Sequence, residues 1–306
     1  MAVCRKLDAG TMCPSFMVTL EEEHTTRGRA NSLREAMRGN LPGMKSEEVL
    51  EALDLCLECK ACKTECPVGV DMARYKSEFL AQHYKATGST PLSATFFGRI
   101  HELARAGSIA PMLANLGNRL MGAIIKKISH IDPRRSLPEL APQPFRRFWQ
   151  DGKPKSVTDR KSGVAGAPRP KVILLDDTFH NYFDPRPLEA AVPVLDRAGF
   201  DVELPSRQVC CGRPLISKGL LEETRSYHRT LLDVLSPLVE QGVPIVGLEP
   251  SCILTLRDEL PDGGAEPVPV GAAGHPALRG RDDAVRTLRR HVRRAGDRGR
   301  LGARGL

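Results

Sequence analysis

The run Cys56-Leu-Glu-Cys59-Lys-Ala-Cys62-Lys-Thr-Glu-Cys66-Pro67 constrains this chain more than any other stretch. It reads C-x2-C-x2-C-x3-C-P. Three cysteines at i, i+3 and i+6 wrap a tight loop around three corners of one cube, the spacing that holds iron–sulfur cubanes. Pro67 lacks an N–H and restricts the residues before it, so a helix cannot simply continue through the fourth cysteine. Where two such clusters lie side by side, that fourth cysteine ligates the other one, so the run announces a second site. C-x2-C pairs also suit tetrahedral zinc, but three such steps closed by Cys-Pro favour iron–sulfur.

Composition narrows the setting. A chain of 306 residues allows two or three modest domains, and 41% apolar content can fill their cores. No run of eighteen apolar residues exists, and the richest helical stretch, near Ile109–Ile128, carries Arg119, Lys126 and Lys127. No transmembrane span is expected. The N-terminus has no apolar signal core, which argues for a cytoplasmic protein, at most peripheral to the inner face of the membrane. Nine cysteines in that compartment suggest ligands more than disulfides. The net charge of +8 is concentrated at the end: residues 279–306 hold ten Arg and three Asp. A basic tail can bind polyanions, but this one lacks aromatics and any nucleic-acid motif, so no nucleic-acid partner is expected.

Cys13-Pro14 repeats the Cys-Pro ending of Cys66-Pro67, as a partner half-motif should. The segments Cys4-Arg-Lys-Leu-Asp-Ala-Gly-Thr-Met-Cys13-Pro-Ser-Phe16 and Thr25-Thr-Arg-Gly-Arg-Ala30 resemble the iron–sulfur part of FAD-linked oxidases. That family includes large D-lactate and D-2-hydroxyacid dehydrogenases. It is similar to the iron–sulfur subunits of glycolate oxidase and anaerobic glycerol-3-phosphate dehydrogenase. The resemblance runs from Cys4 to about Leu260, with gaps near 90–130. It implies one [4Fe–4S] cluster on Cys56, Cys59 and Cys62 with Cys13 as fourth ligand, and a second involving Cys4 and Cys66. The family pattern has one more cysteine, in a Cys-Asn-Gly-like turn six residues before Cys4, which falls upstream of Met1. The second cluster is therefore expected to be incomplete. Met1 would then be internal to a longer frame, with the FAD-binding domain also outside this chain.

Between these motifs the chain reads as helices. Thr25 or Thr26 can cap a helix to about Arg38, ended by Gly39. Arg27 and Arg29 fall in its first turn, where the macrodipole disfavours cations. They fit either a solvated face or positive charge placed to tune a net-negative cluster. Ser46 with Glu47 and Glu48 starts a second helix that leads into Cys56. After Pro67 a third helix should place Met72, Tyr75, Phe79 and His83 on one side, with His83 a packed or surface histidine and not a ligand. Residues 92–130 read as two helices broken near Gly107-Ser108 and Pro111, their Leu, Ile and Ala positions suggesting core packing. Asp132 to Trp149 resembles the family's link between modules, and 151–170 is a polar linker.

From Lys171 short apolar strands alternate with helices, which argues for an α/β unit with a parallel sheet. Its cysteines follow strands: Cys210-Cys211-Gly212 and Glu249-Pro-Ser-Cys252. Loops at strand C-termini are where open α/β sheets place ligands. The adjacent cysteines fit buried hydrophobes, a vicinal disulfide or a metal site. By resemblance this is half of a cysteine-rich CCG domain, as in heterodisulfide reductases, which favours the metal site. Three thiolates are too few for a typical four-cysteine site, so weak metal binding is expected. Beyond 262 the sequence turns to Gly, Pro and Arg and is expected to be disordered.

The expected architecture is α+β. A mainly helical ferredoxin-like iron–sulfur domain (1–90) precedes a helical connector (91–150) and a linker (151–170). A partial α/β CCG domain (171–262) and the tail (263–306) follow. The resemblance implies an electron-transfer module that passes electrons from FAD, on another domain or partner subunit, towards a quinone or other acceptor. With no Rossmann glycine fingerprint and no flavin domain, the chain is not expected to oxidise a 2-hydroxy acid alone. The alternatives are a separate iron–sulfur subunit of a glycolate oxidase or glycerol-3-phosphate dehydrogenase-like complex, an inactive truncated fragment, or a zinc-binding protein.

Overall fold

A computed structural model describes residues 3–8, 10–152 and 169–262. The expectations for the remainder of the linker and for the tail lie outside the described residues. The fold is α+β, and the chain divides into two compact units. The first holds the described residues up to Arg99 together with Pro214–Thr224, and the second those from Ile100 to Arg213 and from Arg225 on.

The first unit is helical. Its elements are α1 (Pro14–Thr19), α2 (Thr26–Met37), α3 (Glu47–Asp54), α4 (Ala61–Glu65), α5 (Met72–Thr87) and α6 (Leu92–Gly98). Thr25 caps α2 by accepting the Gly28 N–H, and Ser46 caps α3 by accepting that of Val49, as the sequence predicts. Val49, Leu53, Met72 and Phe79 form the centre of a core that also contains Cys4, Cys13 and Cys62. His83 is buried, its Nδ1 donating to the Met44 carbonyl at 2.8 Å, so it is packed and not at the surface. Tyr75 departs from the predicted stripe and is half exposed. Gly219 closes this unit. At φ +69° it brings backbone so near Leu80 that a Cβ would sit 2.5 Å from the Leu80 Cβ, a place only glycine fills.

The second unit begins with α7 (Ile100–Gly107) and α8 (Pro111–Ile128). The predicted break near Gly107–Pro111 is there, but a further break falls at Arg99, so 92–130 holds three helices and not two. The core-packing expectation for α8 also fails, because most of its large apolar side chains face solvent.

Next come α9 (Phe145–Asp151), β1 (Lys171–Leu175), α10 (Thr178–Tyr182), α11 (Arg186–Arg197) and β2 (Asp201–Glu203). The chain continues through α12 (Arg213–Ser217), α13 (Leu221–Glu240), β3 (Ile245–Gly247), α14 (Pro250–Arg257) and α15 (Glu259–Asp262). The three strands form a parallel sheet in the order β2-β1-β3, with Ile173 of β1 opposite Glu203 and Ile245. Central β1 is buried from Val172 to Leu175, as a strand covered on both faces must be. Val172 and Leu174 pack with Phe145, Leu188 and Val202, while Leu175 packs with Val209, Leu231 and Leu235. Parallel strands send every strand C-terminus to one edge, and the cysteine-bearing loops leave from that edge.

Candidate metal centre

Cys13 stands at the N-cap of α1 in the left-handed conformation (φ 56°), with Pro14 opening the helix. Its Sγ accepts the Thr26 N–H at 3.1 Å and lies 3.1 Å from the Thr26 Oγ1. This joins the Cys-Pro half-motif to the Thr-Arg-Gly-Arg segment. Gly28 permits the joint, since a Cβ there would fall 2.1 Å from the Glu22 carbonyl oxygen.

The loop of the long motif is built from unusual backbone. Glu58 (φ 53°) and Lys60 (φ 59°) are left-handed and flank Cys59. Each costs about 1 kcal/mol for a non-glycine residue, and such strain gathers where geometry serves a site. Lys76 of α5 clasps the loop, donating to the carbonyls of Asp54 at 3.2 Å and Cys56 at 2.9 Å. Cys62, inside α4, accepts the Met72 N–H at 3.4 Å. Cys13, Cys56, Cys59 and Cys62 all line one pocket, together with Thr26, Arg29 and Met72.

Burial pushes the Cys13 and Cys62 thiols up, and the hydrogen bonds from Thr26 and Met72 offset this only in part. Arg29 is 2% exposed and donates to the Ala52 carbonyl at 2.8 Å and to Ser15 Oγ at 2.9 Å. Among the described residues no carboxylate lies within ion-pair distance of it. A buried guanidinium without an anion is costly. Four thiol donors, N–H groups aimed at sulfur and an uncompensated buried cation fit a group that is net negative with its four thiolates, as a [4Fe–4S] cluster is. Arg27, two residues earlier, is exposed and paired with Glu22 at 2.8 Å. The structure thus separates two arginines that look alike in the sequence.

Cys4 and Cys66 do not line this pocket but belong to the same apolar cluster of side chains. Cys4 is buried in a short 3-10 turn, Val3–Arg5. Cys66 ends α4. Slight burial pushes its thiol up, but the N–H groups of Val70, Val68 and Gly69 outweigh that and hold it below the usual thiol range. Glu65 ties the two segments, accepting from the Thr11 N–H at 2.9 Å and from the Thr11 hydroxyl at 2.6 Å.

The second unit brings its three cysteines together. Cys210 and Cys211 follow β2 and Cys252 follows β3. The Cys211 and Cys252 sulfurs are 3.1 Å apart, and all three residues are buried. Cys210 is held well above the ordinary thiol range by its hydrogen bond with Cys211 and by burial. Cys211 is raised as well: its bond with Cys210 lowers it, but the bond with Cys252 and burial prevail. Arg213 donates its N–H to the Cys211 Sγ at 3.5 Å, and its guanidinium is paired with Glu259.

Three neighbours of these thiols are not evident from spacing. His228 donates Nε2–H to the Cys211 carbonyl at 3.1 Å. Thr178 is hydrogen-bonded to Cys210, and its Oγ1 lies 3.0 Å from Nδ1 of His101. Burial, with a smaller contribution from Arg105, lowers His101 to about 4. The available signal was position, since Thr178 opens α10 at the C-terminal edge of β1.

Residues 2–71 match the 4Fe-4S dicluster domain family. The chain is 28% identical over 305 residues to D-2-hydroxyglutarate dehydrogenase of Escherichia coli (strain K12), a match covering 84% of this chain and 29% of that protein. It is 30% identical over 145 residues to one of the subunits of anaerobic glycerol-3-phosphate dehydrogenase of the same strain, covering 47% and 33%. It is also 24% identical over 251 residues to the glycolate oxidase iron-sulfur subunit of that strain, covering 76% and 52%. The chain therefore spans less than a third of the dehydrogenase and about half of the glycolate oxidase protein. No solved structure matches it. The dicluster match and these relatives define an iron–sulfur module of the kind that serves electron transfer in oxidoreductases.

Proposed function

We propose that this chain carries electrons for a flavin-dependent dehydrogenase of 2-hydroxy acids, with Cys13, Cys56, Cys59 and Cys62 holding one [4Fe–4S] cluster. The observation that carries the reading is the shared pocket of these four cysteines with Arg29 buried in its wall. A bound cluster supplies one-electron transfer, the step between a two-electron flavin and a downstream acceptor. The chain's own residues do the rest. Thr26 and Met72 direct N–H groups at the Cys13 and Cys62 sulfurs, Lys76 holds the loop, and Arg29 offsets negative charge. FAD would sit on another domain or a partner subunit, the acceptor would be a quinone or similar carrier, and the module would work at the inner face of the membrane. The similarity to the glycolate oxidase iron-sulfur subunit favours a second reading, a separate subunit docking on a flavoprotein.

Cys4 and Cys66 are two thiols outside that pocket, too few by themselves to close a second four-thiolate cluster. Cys210, Cys211 and Cys252 would form a weak metal half-site. Anaerobic reconstitution followed by iron and sulfide analysis tests the assignment. About four of each per chain is expected, the content of one cubane. Zinc in place of iron would sink the electron-transfer reading, and about eight iron would overturn the single-cluster reading.

A further inference from the structure

Helix α8 turns its amphipathic character inside out. Its inward side is small or polar. Gly122 is buried facing Leu137, Ala114 packs against the Ala104–Leu140–Tyr182 group, and Asn115 makes two hydrogen bonds to the backbone of Leu140 at 2.8 and 2.9 Å. Its outward side carries Met112, Leu113, Leu116, Leu120, Met121 and Ile124, which expose between 50% and 84% of their surface. Soluble surfaces rarely gather so many large apolar side chains in one ridge without something to cover it.

The charges around the ridge point to the occupant. From 103 to 131 the sequence has no Asp or Glu, while Arg105, Arg119, Lys126 and Lys127 all lie there. Between 103 and 139 six cations stand against two carboxylates. Both carboxylates are exposed and engaged, Glu139 with Arg119 at 2.8 Å and Asp132 with Arg134 at 2.7 Å. Among the described residues Lys126, Lys127 and Arg135 make no direct ion pair, although Asp132 lies close enough to feel Lys126 and Arg135, and Lys126 Nζ donates to the Pro133 carbonyl at 3.0 Å. A helix with an apolar face, basic flanks and no acid is built to lie in the plane of an anionic lipid surface. At 18 residues it is about 27 Å long. No helix among the described residues is long and apolar enough to cross a membrane, so α8 would lie on the bilayer.

We propose that α8 is an interfacial docking helix that inserts Leu113, Leu116, Leu120 and Ile124 among the headgroups of an anionic bilayer, with Lys126 and Lys127 on its phosphates. This gives a surface and a lipid class to the peripheral placement proposed above. Its test does not depend on the cysteine assignments, because iron content is measured on the same samples.

The experiment is co-sedimentation of the full chain with vesicles of phosphatidylcholine alone or mixed with phosphatidylglycerol. Binding to the mixed vesicles is expected, with weaker binding to the neutral ones. Leu120→Glu combined with Ile124→Glu should weaken binding to both at least tenfold, since two buried apolar contacts are lost. Lys126→Gln with Lys127→Gln should weaken binding to the mixed vesicles about tenfold or more and change the neutral ones little. Leu120, Ile124 and Lys127 are exposed, Lys126 is half-buried and loses its bond to the Pro133 carbonyl on substitution, and circular dichroism checks that the variants fold. Failure to bind mixed vesicles, or full binding by the double-glutamate variant, overturns the proposal. So does a dimer in sedimentation velocity that the double-glutamate variant dissociates, because the ridge would then serve a second copy of the chain.

Discussion

At the pocket around Cys13, Cys56, Cys59 and Cys62 the buried cation Arg29 has no carboxylate in reach among the described residues, whereas beside Cys210, Cys211 and Cys252 the cation Arg213 is already paired with Glu259. The first group of thiols encloses a pocket with unspent positive charge in its wall. The second group is closed on itself, its sulfurs hydrogen-bonded to one another and its thiols raised by burial. Thiol spacing alone would rank both as metal sites. Compensating charge distinguishes them, and it favours a strongly anionic guest in the first group only.

The largest effect should come from removing a donor. Cys59 is the exposed member of the first group, so Cys59→Ser disturbs packing little. It should nevertheless abolish most of the brown absorbance and the paramagnetic signal of the reduced protein. Cys211→Ser should leave both nearly intact. Full iron and sulfide in the Cys59 variant, or equal losses in the two variants, would erase the distinction.

A smaller effect should follow the buried charge. Removing a cation near an acceptor makes each added electron less welcome, so Arg29→Gln should lower the reduction potential. A unit charge within one shell of side chains is worth on the order of 50 mV. Arg27→Gln, at an exposed and paired position, should shift it far less, and Arg29→Lys should recover part of the loss. Potentiometric titration reads all three. Equal shifts for the two arginines would show that Arg29 acts through general surface charge.

Much of this was legible in the sequence because local rules govern it. The Thr25 and Ser46 caps, the parallel strands and the convergence of cysteine loops at one sheet edge all follow from side-chain chemistry at short range. The burial of Arg29 was not legible. Arg27 and Arg29 share a first turn, and the macrodipole penalises both alike. Only the packing of α2 beside Ala52 and Ser15 decides which one is enclosed. Helix α8 misled for a related reason. Apolar periodicity shows that a face exists but not which face is covered, and here Ala114, Asn115 and Gly122 take the inner side. The break at Arg99 is marked in the sequence by Gly98 alone, without a following proline like the one at 111.

The smallest effect concerns acid and belongs to the second unit. His101 packs between the rings of Tyr182 and Tyr227 and is held neutral by burial, its pKa lowered to about 4. In the unfolded chain an ordinary histidine titrates near 6.5. Between those values the unfolded state binds a proton that the folded state refuses, so stability falls as pH drops from about 6.5 to about 4. His228 is lowered by burial as well and acts in the same direction. For His101 alone the loss should reach about 1–3 kcal/mol. Trp149, the chain's single tryptophan, packs with the Phe145 core of this unit and reports its unfolding by fluorescence. Urea titrations at pH 7 and pH 5 should therefore show a lower midpoint in acid. His101→Gln removes the titrating group. That variant should be less stable at pH 7, through lost ring packing, yet its midpoint should change less between the two pH values. A variant as acid-sensitive as the parent would mean that the proton is taken up elsewhere, and that the link from His101 through Thr178 to Cys210 has no part in the acid response of this unit.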